Sequence, residues 1–286
     1  MPIVDPNQVE LILVEDVLWV ARCPVGLAIY DFPFETFFAC RHPVFRPDEV
    51  TSIGRFGVTE DYRGLYDKLL REGIRLVHSP EQWALASELP RWYELLHDLT
   101  PRSVWFSKPP PVEEIEAQFQ WPIFVKGSRQ TSRHKAALSI LRSPDDYRNA
   151  MEVFQKDRIL HWQEVVCREF VPLRPVPVGN SAADVIPASF EYRTFWWRGQ
   201  CVGAGPYWAA VTEYDWTEAE EQAALAVAGE AARRLALPFL VVDVAQTVEG
   251  RWIVIEVNDA QESGYAGIPP LPLWQRVVEV ERGRAD

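Results

Sequence analysis

Asp243, Glu256 and Asn258 carry oxygen ligands at a spacing that suits a hard cation. Asp243 falls inside the apolar run Phe239-Leu240-Val241-Val242-Asp243-Val244-Ala245, and Glu256 inside Trp252-Ile253-Val254-Ile255-Glu256-Val257. Glu249-Gly250 between them reads as a hairpin turn, so the two runs are expected to face one another as strands. A carboxylate inside an apolar strand is costly unless it is paired or metal-bound, which weakens the plainer reading of acids on the wet face of a hairpin. Side chains two apart on a strand share a face, so Glu256 and Asn258 are expected together, with Ile255 and Val257 in the opposite layer. Two carboxylates and an amide oxygen match magnesium, which completes its octahedron with water and substrate phosphates.

Cations that would meet those phosphates are fewer. Lys126 ends the run Ile123-Phe124-Val125 and opens the polar loop from Gly127-Ser128 to Lys135, where small residues let backbone approach a phosphate beside a point charge. Arg193 heads Thr194-Phe195-Trp196-Trp197, and a guanidinium matches a phosphoryl group in two-point contacts. Without the carboxylate cluster Lys126 fits a surface lysine equally well, and an isolated arginine is usually a solvated charge. The run 164–171 is an apolar strand that ends in Glu169-Phe170-Val171 before prolines; its backbone can pair with an adenine edge, or it is an ordinary core strand. The sequence has no GxxxxGK[ST] loop, and Gly203-Ala204-Gly205-Pro206 is only half of a dinucleotide fingerprint.

The elements that must position these residues follow from periodicity and punctuation. Tyr62, Leu65, Tyr66, Leu69 and Leu70 fall at helical spacing over 60–72, and Gly73 stops that helix. Ile74 to His78 reads as a buried strand, and Ser79-Pro80 starts a helix or helix pair that runs to Leu99 and breaks at Pro90. Pro109-Pro110-Pro111 is a stiff hinge or turn. Two hairpins are expected, 192–197 with 200–204 about Arg198-Gly199, and 240–247 with 252–257, separated by an alanine-rich helix over 218–235. The proline-rich stretch 172–187, with Gly179-Asn180-Ser181 at its tip, reads as an inserted loop: a lid or acceptor-recognition surface outside the nucleotide site, or an idle surface loop.

Composition narrows the class. The chain has 286 residues, room for two or three domains, and 48% hydrophobic against 24% charged residues, the balance of a globular protein. A net charge of -12 disfavours generic nucleic-acid binding, so any phosphate site must be built locally. Cys23, Cys40, Cys167 and Cys201 are scattered and suggest neither a zinc site nor a disulfide framework. The N-terminal stretch lacks a basic segment and no apolar run approaches the roughly 20 residues of a membrane span, so a cytoplasmic protein is expected.

In order along the chain, Phe124-Val125-Lys126-Gly127-Ser128, Glu169-Phe170-Val171, Glu191-Tyr192-Arg193-Thr194-Phe195, Val242-Asp243-Val244 and Ile255-Glu256-Val257-Asn258 resemble the ATP-grasp superfamily, in particular its small RimK-like ligases. The resemblance covers roughly the last two thirds of the chain, and the Glu-x-Asn pair with its upstream Asp is its most specific part. It implies an α+β fold in which two α+β lobes, about 101–165 and 166–286, sandwich ATP, preceded by a small Rossmann-like domain over 1–100. It further implies Lys126 on the ATP phosphates, the backbone of Glu169, Phe170 and Val171 on adenine, Arg193 on the transferring phosphate as the catalytic cation, and Asp243, Glu256 and Asn258 on Mg2+. The implied activity joins a carboxylate-bearing substrate, activated as an acylphosphate, to an amine or similar nucleophile, with a peptide or protein among the expected partners. A phosphotransferase and a noncatalytic ATP-sensing module are the alternatives. The sequence departs from the family in the basic residues Arg129, Arg133 and Lys135, in the 172–187 insertion, and in lacking a clear second phosphate lysine, for which Arg91, Lys108 or the 127–135 loop are the substitutes.

Overall fold

The computed structural model describes residues 9–25, 32–42, 47–129, 135–178 and 185–285. Three sheets organise them. The N-terminal sheet runs, in spatial order, Cys40–Arg41, Glu10–Val14, Leu18–Arg22, Val50–Arg55 and Ile74–Leu76. Its first three strands are antiparallel, and only Leu18–Arg22, Val50–Arg55 and Ile74–Leu76 run parallel. The helix Tyr62–Arg71 makes the crossover between the last two; Asp61 caps it through the N–H of Gly64, and Tyr62, Leu65, Tyr66 and Leu69 are its buried stripe. The leading hairpin makes this a mixed sheet, so a Rossmann-like N-terminal domain is not established.

The helical run after His78 is two helices, Pro80–Ser87 and Leu89–Leu96. Ser79 and Gln82 form a reciprocal capping box, and the break falls at Glu88, which adopts extended backbone so that Pro90 can sit in the next helix's first turn. A second sheet then orders Ser103–Phe106, Val165–Glu169, Ile123–Gly127 and Ile140–Leu141, antiparallel throughout.

The third sheet is built from the two hairpins, in the order Gln200–Pro206, Glu191–Trp197, Phe239–Gln246, Trp252–Asp259. Arg198 and Gly199 both take positive φ, 47° and 78°, which matches the strand twist in a two-residue turn. The helix Glu218–Leu235 lies on one face, where Ala224, Ala228, Ala231 and Ala232 meet Trp196, Leu240, Val242 and Val244. Small side chains let helix and sheet approach closely. On the opposite face, Phe195, Trp197, Phe239 and Val241 pack with Trp274 of the C-terminal helix Pro270–Ala285 and with Ile12, Val20, Phe34 and Ile53 of the N-terminal unit. Burying side chains of this size contributes roughly 1.5–3 kcal/mol each, so this shared core fastens the N-terminal sheet to the third. Among the described residues no helix is long and apolar enough to cross a membrane.

Candidate active site

Strand alternation puts Arg193 and Asp243 on the same face as Phe195 and Val241, beyond the end of that apolar core. Arg193 is the register partner of Asp243, and Asp243 of Glu256, so three charged side chains form one row across three adjacent strands. Arg193 donates from Nε to Asp243 Oδ1 at 2.8 Å and from Nη2 to Oδ2 at 2.7 Å, a two-point contact in which Asp243 is 1% exposed. Glu256, 21% exposed on its side chain, accepts from the ammonium of Lys126, which is 5% exposed and reaches over from the second sheet. Like charges directly opposite one another on a sheet repel, and here each carboxylate is answered by its own cation.

The electrostatics follow. Burial raises the Asp243 carboxyl above its ordinary value against the opposing pull of Arg193. Burial also works to raise Glu256, but the charge and hydrogen bond of Lys126, with help from Arg193 and the Asn258 side chain, hold it below the usual range. Arg193 is held above its ordinary value; burial opposes this and Asp243 outweighs it.

Opposite Val244 the register slips, so that Asp243 pairs with Glu256 but Val244 with Val254, leaving Ile255 as an extra residue. The strict alternation expected from the sequence therefore fails at this point. Val257 is in the core beneath the long helix, as expected, but Ile255 lines the same cavity as Glu256 and is not in the opposite layer.

That cavity, about 320 Å³, opens between the second and third sheets. Lys126 and Glu256 stand at one part of its wall, and Phe124, Ile140, Ile253 and Ile255 supply apolar surface. Glu169, Phe170 and Val171 lie along another part; the N–H of Glu169 bonds the carbonyl of Arg102, whereas the backbone N–H groups of Phe170 and Val171 have no partner among the described residues. The 172–187 segment is also part of this wall, through Pro172, Leu173, Pro175, Ile186 and Pro187. It is pinned by bridges from Leu173 to Thr247 and from Pro175 to Ser189, so its described residues border the cavity, against the expectation of a surface outside it. Its tip, with Gly179-Asn180-Ser181, and residues 130–134, with Arg133, lie outside the described residues.

Two wall residues carried no sequence expectation. Glu191 shares the face of Arg193 and is pushed up to about 8, by burial first and by the charge of Asp243 second. Trp208 Nε1 and Ser189 Oγ donate to it at 3.1 and 3.3 Å. Its signal was an acid two residues before Arg193 within an apolar strand. Arg168, buried and lowered to about 10 by burial, donates to Ser103 Oγ at 3.1 Å, to the Ile255 carbonyl at 2.7 Å and to Thr100 Oγ1. Arg91 and Lys108, the suggested second cations, are exposed, and Arg91 pairs with Glu88.

A family model for an ATP-grasp domain, the third family of its clade, matches residues 96–277. The chain belongs to the ATP-grasp family. The match spans both sheets that enclose the cavity and every residue of the charged row. Solved structures share the ATP-grasp chain's fold. The VanG D-Ala:D-Ser ligase from Enterococcus faecalis gives a TM-score of 0.58 at 16% identity over 86% of this chain and 76% of its own. A RimK domain ATP-grasp protein from Sphaerobacter thermophilus gives 0.55 at 16% identity, covering 82% and 81%. The D-alanine–D-alanine ligase from Bacillus anthracis complexed with ATP gives 0.55 at 13% identity, covering 80% and 79%. No curated protein matches the sequence.

Proposed function

We propose that this ATP-grasp chain is an ATP- and magnesium-dependent ligase that activates a carboxylate as an acylphosphate and passes the acyl group to an amine or similar nucleophile. The observation that carries the reading is the row Arg193–Asp243–Glu256 met by Lys126 from the opposing sheet, with Glu256 and Lys126 at the wall of the 320 Å³ cavity. The cavity's residues fit a nucleotide. Apolar side chains suit a purine ring, and the unpartnered N–H groups of Phe170 and Val171 suit its edge. Lys126 at the wall suits phosphates, and Arg193, two strands from Glu256 along the row, suits the one that moves.

The donor set also fits magnesium, since Asp243, Glu256 and Asn258 offer hard oxygen ligands beside the place proposed for the phosphates. Bound there, the metal would neutralise charge on the phosphates. The chain's own residues would then position the reactants, from which phosphoryl transfer gets most of its acceleration. A substrate carboxylate oxygen attacks the γ-phosphorus, the bond to the β,γ-bridging oxygen breaks and ADP leaves. The amine nitrogen then attacks the acyl carbon, the bond from that carbon to the phosphate oxygen breaks, inorganic phosphate leaves and the amine loses a proton. Arg193 would hold the moving phosphoryl group, and no side-chain nucleophile is required.

The reading carries a division of the chain: an N-terminal unit to about residue 100, a first lobe and a second. Val165–Glu169 pairs within the second sheet, which favours a lobe boundary just after it instead of at 165. The neighbours named as D-Ala:D-Ser and D-alanine–D-alanine ligases support the ligase class, and ATP consumption fits a cytoplasmic site of action. The test is incubation with Mg-ATP, hydroxylamine and fractionated cell extract. Hydroxamates formed in step with ADP support the ligase. ADP with a phosphorylated product and no hydroxamate would establish the phosphotransferase, and ATP binding without ADP the sensing module.

A further inference from the structure

The strand Trp252–Asp259 ends one residue past Asn258, and the chain then turns through Ala260, Gln261, Glu262 and Ser263, all buried, to reach Gly264. Both ends of this turn meet the proposed site. Asn258, before the turn, is one of the three ligands proposed for magnesium, and its side chain hydrogen-bonds Glu256. After the turn, the Gly264 carbonyl accepts from Arg193 Nη1 at 2.9 Å, so the chain closes back onto the charged row.

The turn between those ends is gripped from the N-terminal unit. Arg55, the last residue of the strand Val50–Arg55 and 5% exposed, donates from Nη1 to the carbonyls of Ala260 at 2.8 Å and Gln261 at 3.1 Å, and from Nη2 to that of Ser263 at 3.4 Å. Its guanidinium also lies 5.2 Å from the ring centre of Tyr265, the residue after Gly264. Carbonyls of one buried turn thus converge on one cation, and each would be costly to bury without a donor. The neighbouring Gly54 N–H donates to Gln261 Oε1 at 2.8 Å, and Gln261 Nε2 donates to Tyr62 Oη at 3.2 Å and to Asp259 Oδ2 at 3.1 Å. A Cβ at Gly54 would stand 3.0 Å from Gln261 Oε1 and 2.3 Å from the Phe56 ring, so this close approach requires glycine. The carbonyls that Arg55 holds begin two residues after Asn258 and end one residue before Gly264, so its grip sets the path of the chain between them. Gly54, Arg55 and Tyr62 all lie outside residues 96–277, the span of the family match.

We infer that Arg55 is a positioning residue of this site: through the backbone of 260–263 it fixes where Asn258 presents its oxygen to the metal and where Gly264 holds the Arg193 guanidinium. The inference rests on the ligase reading. A guanidinium reaches several carbonyls at once because its N–H groups point in fixed directions in one plane, whereas a lysine ammonium is a compact point charge that serves fewer of them in place. An apolar side chain would leave the turn to shift, and with it both the ligand and the arginine.

The test uses the full chain carrying Arg55→Met, Arg55→Lys or, as a control for stability alone, Leu69→Ala, which empties a core position of the same unit in the buried stripe of the helix Tyr62–Arg71. Mg2+ is titrated calorimetrically into each chain saturated with a nonhydrolysable ATP analogue, and single-turnover ADP formation is followed beside it. Arg55→Met is expected to weaken Mg2+ and to slow ADP formation by roughly 10-fold or more each, while affinity for the analogue without metal stays within about twofold of the parent's. Arg55→Lys should fall between the two, and it decides the matter if Arg55→Met does not fold. Leu69→Ala should lower the melting temperature and leave Mg2+ affinity and rate as they are. Arg55 variants that match the parent in both quantities, or losses that Leu69→Ala reproduces, would overturn the assignment. The two readings fail separately: a parent that turns over while Arg55→Met keeps its Mg2+ affinity and rate sinks the positioning role alone, whereas a parent that binds Mg2+ with the analogue in an Arg55-dependent way but forms no ADP sinks the ligase alone.

Discussion

Both oxygens of Asp243 are held by one guanidinium, so losing either partner strands a buried charge. Arg193→Ala is therefore expected to lower stability by ~3 kcal/mol in urea melts and also to slow single-turnover ADP formation by roughly 10²-fold. Lys126→Ala should instead weaken equilibrium ATP binding as well as the rate, because in the proposed site its ammonium would contact phosphate already in the ground state. Equal losses of affinity and rate in Arg193→Ala would contradict these distinct roles. Glu191 provides a pH signature. Its folded carboxyl is raised to about 8 while the unfolded one titrates near 4.5, so between those values the native state holds the extra proton and stability falls as pH rises. Glu191→Gln should remove that contribution, giving a variant that gains on the parent between pH 5 and 8 by on the order of 2 kcal/mol, read from melts at both ends. The acids were legible from their apolar surroundings, whereas Lys126 and Arg193 took their meaning from the resemblance. The pairing of acid with cation was not legible, because Arg193 and Asp243 stand 50 residues apart and only strand register brings them together.

Hairpins and helices were the most legible elements, since Arg198-Gly199, Glu249-Gly250, Ser79-Pro80 and the alanine-rich run each carry a local signal. The register slip that turns Ile255 toward the cavity has none, because alternation over 252–257 looks regular in sequence. Arg168 belongs to this scale: from the second sheet it grips the carbonyl of that extra residue, so one side chain joins the two sheets beside Glu256. Arg168→Met should cost ~2–4 kcal/mol by leaving Ser103, Thr100 and the Ile255 carbonyl without their donor. A loss within error would mean that water replaces it. The 172–187 segment was legible as an insertion, but its packing against Thr247 and Ser189 was not, as those contacts depend on distant strands. Because its described residues wall the cavity proposed for the nucleotide, Leu173→Asp should weaken ATP binding in titration, whereas a lid serving only the acceptor would leave it intact.

Across the whole molecule, ATP-grasp organisation was readable from the order of short motifs, while the N-terminal sheet was not, since its opening strands carry no marker of direction. A ligand gripped between two sheets should stabilise both, and Mg-ATP at 100 times its dissociation constant should add ~2.7 kcal/mol. A thermal shift that vanishes with chelator and returns with Mg2+ is expected; a shift indifferent to chelator would remove the metal from the site. The pairing of Lys126 with Glu256 and Arg193 with Asp243 bears on this beyond geometry. Phosphates that draw the two cations toward themselves leave two carboxylates facing one another uncompensated, and a divalent ion that claims the carboxylates frees the two cations for phosphates. Each ligand thus lowers the cost of admitting the other, so nucleotide and metal should bind with positive coupling that is equal in both directions by thermodynamic necessity. The resting protein is in this sense an ion exchanger with its own side chains as the counter-ions.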